Sequence, residues 1–103
     1  MILDKEENLG KYKGILASLG NLKGILGYPV SAMDSFECDK KHTNLFIVKK
    51  GSFKAASGWR ELDASKDVLG ISVVEEGCFA LFLPGEHFLV TGEGRAVRYS
   101  LES

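Results

Sequence analysis

The chain is short of several features that mark large classes of protein. It has only two cysteines, Cys38 and Cys78, in 103 residues. Two isolated thiols build neither a disulfide framework nor a zinc motif, and a reducing compartment leaves both unpaired. Cys78 lies in an apolar run and reads as core. Cys38 has only Lys40 and Lys41 nearby as cations, a weak setting for a nucleophile. Charge of one sign is also missing: 13 Lys and Arg against 14 Asp and Glu give a formal net charge of −1. That balance supplies no field for nucleic acid or an anionic membrane surface. The nearest basic patch, Lys40, Lys41, Lys49 and Lys50, flanks a strand and reads as edge protection. No apolar run approaches the roughly 18 residues of a transmembrane helix, and MILDKEENLG lacks the regions of a secretory signal. A soluble, cytoplasmic protein is expected. No serine stands in a nucleophile elbow and no phosphate-binding glycine loop precedes a helix, which disfavours those enzyme classes.

What is present is enough for one modest core: hydrophobic residues make up 45% of the chain, so residues 1–103 are expected to form one domain. Asp4 and Glu7 have capping-box spacing and predict a helix from about Lys5. Leu9, Tyr12, Leu16 and Leu19 continue it at helical spacing, widened by Ile15, Leu22 and Leu26. Gly10, Gly14, Gly20 and Gly24 each weaken a helix by about 1 kcal/mol, and Gly20 with Asn21 reads as a stop. One or two short helices follow from this.

After Pro29 the pattern is that of strands: Ser35 to Asp39, Thr43 to Lys50, Phe53 to Ala56, Leu69 to Glu75, Cys78 to Leu83, Phe88 to Val90 and Arg95 to Leu101. Gly51, Gly58, Gly77, Gly85 and Gly92 to Gly94 read as the turns between them. Seven short strands predict a mainly β fold, an antiparallel β-sandwich or barrel with the helices packed on one side.

The stretch GCFALFLPGEH, Gly77 to His87, is the most informative. Cys78, Ala80 and Phe82 alternate with Phe79, Leu81 and Leu83, so both faces are apolar and the strand is expected to be buried between layers. Pro84 ends it and Gly85 permits a reversal, which should bring Glu86 and His87 out together at a sheet rim. Glu37 and Asp39 share one face of an earlier strand. In a small barrel they and His87 can meet at one mouth, a carboxylate and imidazole set suited to zinc, iron, manganese or nickel. His42 joins that face only if the chain bends at Lys40 and Lys41. Glu86 suits a ligand, an orienting group or a general base, and also a plain solvated turn acid. Trp59 and Arg60 pair an aromatic face with a donor fork fit for a carboxylate or sugar, or form an ordinary hairpin tip.

These residues resemble the YhcH/YjgK/YiaL family, a cupin-like group of bacterial proteins linked to sugar-acid metabolism that includes the small subunit of the evolved beta-galactosidase. MILDKEENLGKYKG is similar to the family's opening, a short strand running into a helix with a Leu-x-x-Tyr pattern, met by Leu9 and Tyr12. ECDKKHTNLFIVKKG resembles its Glu-x-His segment, GCFALFLPGEH its Gly-x-Phe-x-x-Phe-x-Pro-x-x-x-His signature, and RAVRYSLE its last core strand. The resemblance implies a cupin-like fold in which Glu37 and His87 line a metal or substrate cavity. Asp39 stands where the family usually has histidine, His42 where it often has tyrosine, and Asn44 where it has aspartate, shifting the implied site toward oxygen ligands.

Two functions follow from the resemblance. One is an isomerase or epimerase of sugars or sugar acids, with a divalent metal held by Glu37, Asp39 and His87, proton transfer by Glu37 or Glu86, and the substrate held by Arg60, Trp59 and His42. The other is a non-enzymatic binding or accessory protein, with a metal-free cavity or a dimer-forming sheet face.

Overall fold

The computed structural model describes residues 1–12, 25–26, 34–37, 40–63 and 72–102. These residues form seven strands and one 3-10 helix: β1 (Ile2–Lys5), the helix (Glu6–Tyr12), β2 (Ile25–Leu26), β3 (Asp34–Glu37), β4 (His42–Gly58), β5 (Ser72–Glu75), β6 (Cys78–Phe82) and β7 (His87–Glu102). All pairings are antiparallel, and the sheet curls into a half-barrel. The mainly β class expected from the pattern is the one observed, and the curled sheet fits the cupin-like architecture that the resemblance implies.

Two long strands make its spine. β4 and β7 pair along their whole lengths, from His42 opposite Glu102 to Gly58 opposite His87. The other edge of β4 carries β6 and then β5, and β1 lies outside β6; the other edge of β7 carries β3 and β2. The sequence pattern splits both long strands at their glycines. Instead, the glycines bend each strand without ending it.

The bend follows from side-chain parity. Before it, Phe46 and Val48 face the concave core; after it, Phe53 and Ala55 do. Even numbers give way to odd because the ladder shifts register between Val48 and Lys50. Without that extra residue, Ser52 and Lys54 would be turned into the core. β7 has no such shift: Phe88, Val90 and Ala96 face the core, and Gly92 and Gly94 occupy the intervening positions at the bend. Having no side chains, they let β7 lie directly against Gly51 and Phe53 of β4.

The concave core is aromatic. Phe82 and Phe88 stack with ring centroids 4.1 Å apart, and Phe46 meets Phe53 edge-on at 5.3 Å. The opposite face of β4 and β6 buries Leu45, Ile47, Phe79 and Leu81 under Leu9 and Tyr12 of the helix. Both faces of β6 are thus covered, as its unbroken apolar sequence requires.

The helix start differs from a capping box. Asp4 caps it by side chain, where Oδ1 accepts from the Lys5 amide at 2.7 Å and from Asn8 Nδ2 at 2.8 Å and Oδ2 accepts from the Tyr12 hydroxyl at 2.9 Å, while the Glu6 amide donates to the Gly77 carbonyl at 2.8 Å. The Asn8 bond, followed by those from Lys5 and Tyr12, holds the Asp4 carboxyl below its ordinary 3.8. The Asp4 bond, with burial, raises Tyr12 above its ordinary 10.0. A lowered carboxyl stabilises the fold above its unfolded pKa and loses that contribution as pH falls through the folded one. Stability measured in urea should therefore drop on acidification below pH 3.8, and Asp4→Ala should flatten that drop. An equally steep decline in the variant would remove Asp4 from the account. The part of the helical pattern beyond Tyr12 lies outside the described residues.

Candidate functional site

The turn from β6 to β7 is built locally. The Leu83 carbonyl accepts from the Glu86 amide at 3.0 Å, closing a four-residue turn with Pro84 and Gly85 at its centre. Pro84 supplies the fixed φ of the first central position, and Gly85, at φ 85°, the positive φ of the second. Glu86 then reaches back. Its Oε1 accepts from the Leu83 amide at 2.9 Å, and its Oε2 from the ammonium of Met1 at 2.6 Å.

Glu86 is consequently 2% exposed, not a solvated rim acid as the Pro-Gly-Glu-His order implies. The reason lies in β1, whose pairing with β6 lays Met1 beside the turn. The carboxylate is a strut between the first strand and the turn. Sequence reasoning missed this because the partner ammonium lies at the other end of the chain.

His87 follows immediately and opens β7. It stands in register with Glu37 on β3 and with Gly58 on β4, so the three residues form one row across three strands. Parity places His87 with Leu89, on the outer face where Leu89 packs with Ala56 and Leu62. Phe88 takes the concave side. His87 is half-buried at the rim, and the interior of the curl is filled by phenylalanines and small aliphatic residues. Among the described residues, His87 thus stands on the outer face of the rim and not on the concave face.

Trp59 and Arg60 continue β4 directly beyond Gly58, and both are exposed. The indole lies over the turn: a Cβ placed on Gly85 would be 4.0 Å from Trp59 Cζ3. Arg60 donates from Nη1 to the Glu61 carbonyl at 2.9 Å. The turn, the row and the Trp59–Arg60 pair thus share one corner of the sheet.

One of the expected site residues does not join them. His42 begins β4, at the far end of that 17-residue strand from Gly58 and His87. Asp39 lies outside the described residues, as does Cys38. Among the described residues no three His, Cys, Asp or Glu side chains form a metal-binding group. No described helix is long and apolar enough to cross a membrane.

No family model and no curated protein matches the chain.

Proposed function

We propose that the outer rim binds a small sugar acid. The observation carrying this reading is the row of Glu37, His87 and Gly58 across three strands, continued by an exposed Trp59 and Arg60. An indole face packs against the C–H face of a sugar ring, and a guanidinium takes a carboxylate through two parallel hydrogen bonds. The imidazole of His87 adds one donor or acceptor for a hydroxyl.

A divalent ion is part of the proposal. Glu37, Asp39 and His87 would hold it, and two carboxylates with one imidazole fit manganese, iron, zinc or nickel. When bound it supplies charge to neutralise the acid and polarise an adjacent carbonyl. Arg60 and Trp59 orient the ring, with the resemblance to sugar-acid proteins supporting this ligand class.

The state of Glu86 bears on whether the site turns its ligand over. Both its oxygens already accept hydrogen bonds within the fold, leaving Glu37 to serve as a base. One carboxylate cannot be metal ligand and free base together. This favours a binding protein without turnover, one that keeps the metal and so differs from the metal-free accessory protein.

Trp59 is the only tryptophan and lies in the proposed site, so its fluorescence is the assay. Titration with gluconate and glucuronate, with and without manganese or zinc, should give a saturable change. Arg60→Ala should weaken binding by about tenfold or more, as expected for a charge-assisted pair, and His87→Ala should remove the metal dependence. No saturation with either acid up to millimolar concentration, metal present or absent, would reject the reading.

A further inference from the structure

A second feature lies away from the rim. A cleft of about 230 Å³ opens between β1 and β5, lined by Leu3, Asp4, Lys5, Val73, Val74, Glu75, Cys78 and Phe79. Three large hydrophobic side chains are exposed among the described residues: Leu3 at 43%, Val73 at 50% and Trp59. Two of the three border this one cleft. Both its walls are edge strands, since among the described residues β1 pairs only with β6 and β5 only with β4. Exposed aliphatic groups on adjoining edges make a template for another chain.

The charges select the partner. The Asp4 carboxylate on the β1 wall is taken up by Lys5 N–H, Asn8 and Tyr12, which leaves Lys5 as the exposed charge of that wall and Glu75 as the exposed charge of the β5 wall opposite. A two-fold axis through the cleft sets the Lys5 wall of one molecule against the Glu75 wall of the other, twice. Leu3 and Val73 then cover one another's counterparts between the two ion pairs. An isologous contact requires this self-complementarity.

We propose that the cleft between β1 and β5 is a self-association surface, occupied by a second copy of this chain. It is independent of the rim site, which lies at the Gly58–His87 end of the spine.

Sedimentation equilibrium of the full chain tests it. The wild-type chain should show a concentration-dependent shift from the 11.2 kDa monomer to twice that mass. Lys5→Glu or Glu75→Lys alone creates two like-charge contacts and should raise the dissociation constant about tenfold. The double variant Lys5→Glu/Glu75→Lys restores opposite charges and should recover most of the wild-type affinity. Val73→Lys, at an exposed position with little bearing on folding, should leave a folded monomer by circular dichroism. A wild-type chain that stays monomeric up to millimolar concentration overturns the proposal. So does a dimer indifferent to Val73→Lys, or single charge reversals that the double variant fails to rescue.

Discussion

Gly94→Val is expected to destabilise the sheet severely, whereas Gly77→Ala leaves a folded protein with a modestly lower melting temperature. Both glycines have positive φ, 139° at Gly94 and 80° at Gly77, so backbone conformation alone does not separate them. Space does. A Cβ on Gly94 would come 2.1 Å from the Lys50 carbonyl oxygen and 3.0 Å from Gly51 Cα, whereas nothing lies within 4 Å of one on Gly77. The atoms in the way at Gly94 belong to the backbone of β4 and have no rotamer to escape to. Relief requires the two long strands to separate where both bend. Strained conformation and backbone overlap together should cost about 3–5 kcal/mol, a large share of the stability of a domain of this size. Gly77→Ala carries only the conformational term, about 1–2 kcal/mol. Urea unfolding of the two variants beside the wild type makes the comparison. If Gly94→Val unfolds at the same midpoint as Gly77→Ala, the close approach of β4 and β7 is wrong.

Glu86→Ala is the second large effect. The carboxylate is 2% exposed and its ammonium partner 11%, so the pair is shielded from water and from salt. Removing the carboxylate leaves the Met1 ammonium without its counter-charge and the Leu83 amide without an acceptor. A part-buried charge deprived of its partner destabilises strongly, here by about 3 kcal/mol, equivalent to a melting temperature about 12–24 °C lower. Glu86→Gln keeps a neutral acceptor for Leu83 and removes the charge, and should fall between Ala and wild type. The exposed pair of Lys49 and Glu6 supplies the contrast, because Lys49→Ala should change stability by about 0.5 kcal/mol or less. A Glu86→Ala loss of that same size would reduce the strut to an ordinary surface contact.

Strand content was largely legible in the sequence because it rests on period-two alternation. The residues of Cys78 to Phe82 alone place that strand between two layers, and the spacing of Leu9 and Tyr12 puts both on the packed side of the helical start. Connectivity was less legible. Gly51 and the Gly92 to Gly94 segment carry the composition of turns, and only the facing strand reveals a bend: Gly51 lies opposite Gly94, and Phe53 opposite Gly92. The extra residue at the Val48–Lys50 shift has no compositional mark either, since its effect is to change which face Phe53 presents. At the rim, the Pro-Gly turn and the position of His87 at its end were readable from local chemistry. The burial of Glu86 was not, because it depends on Met1. The union of Trp59 with the turn was not either, because β4 had to continue through its glycines before Gly58 could reach His87.

The β4–β7 ladder also imposes an order on its own assembly. Its pairs are not equally distant along the chain: Gly58 with His87 closes the shortest loop and His42 with Glu102 the longest. Loop closure costs more entropy as the loop lengthens, so the ladder is easiest to start at the Gly58–His87 end and to zip from there through the bend. The corner holding Trp59, His87 and the Pro84–Gly85 turn is therefore where this ladder starts most easily. Substitutions there would slow formation of the ladder, whereas changes near His42 would act mainly on the rate of unfolding.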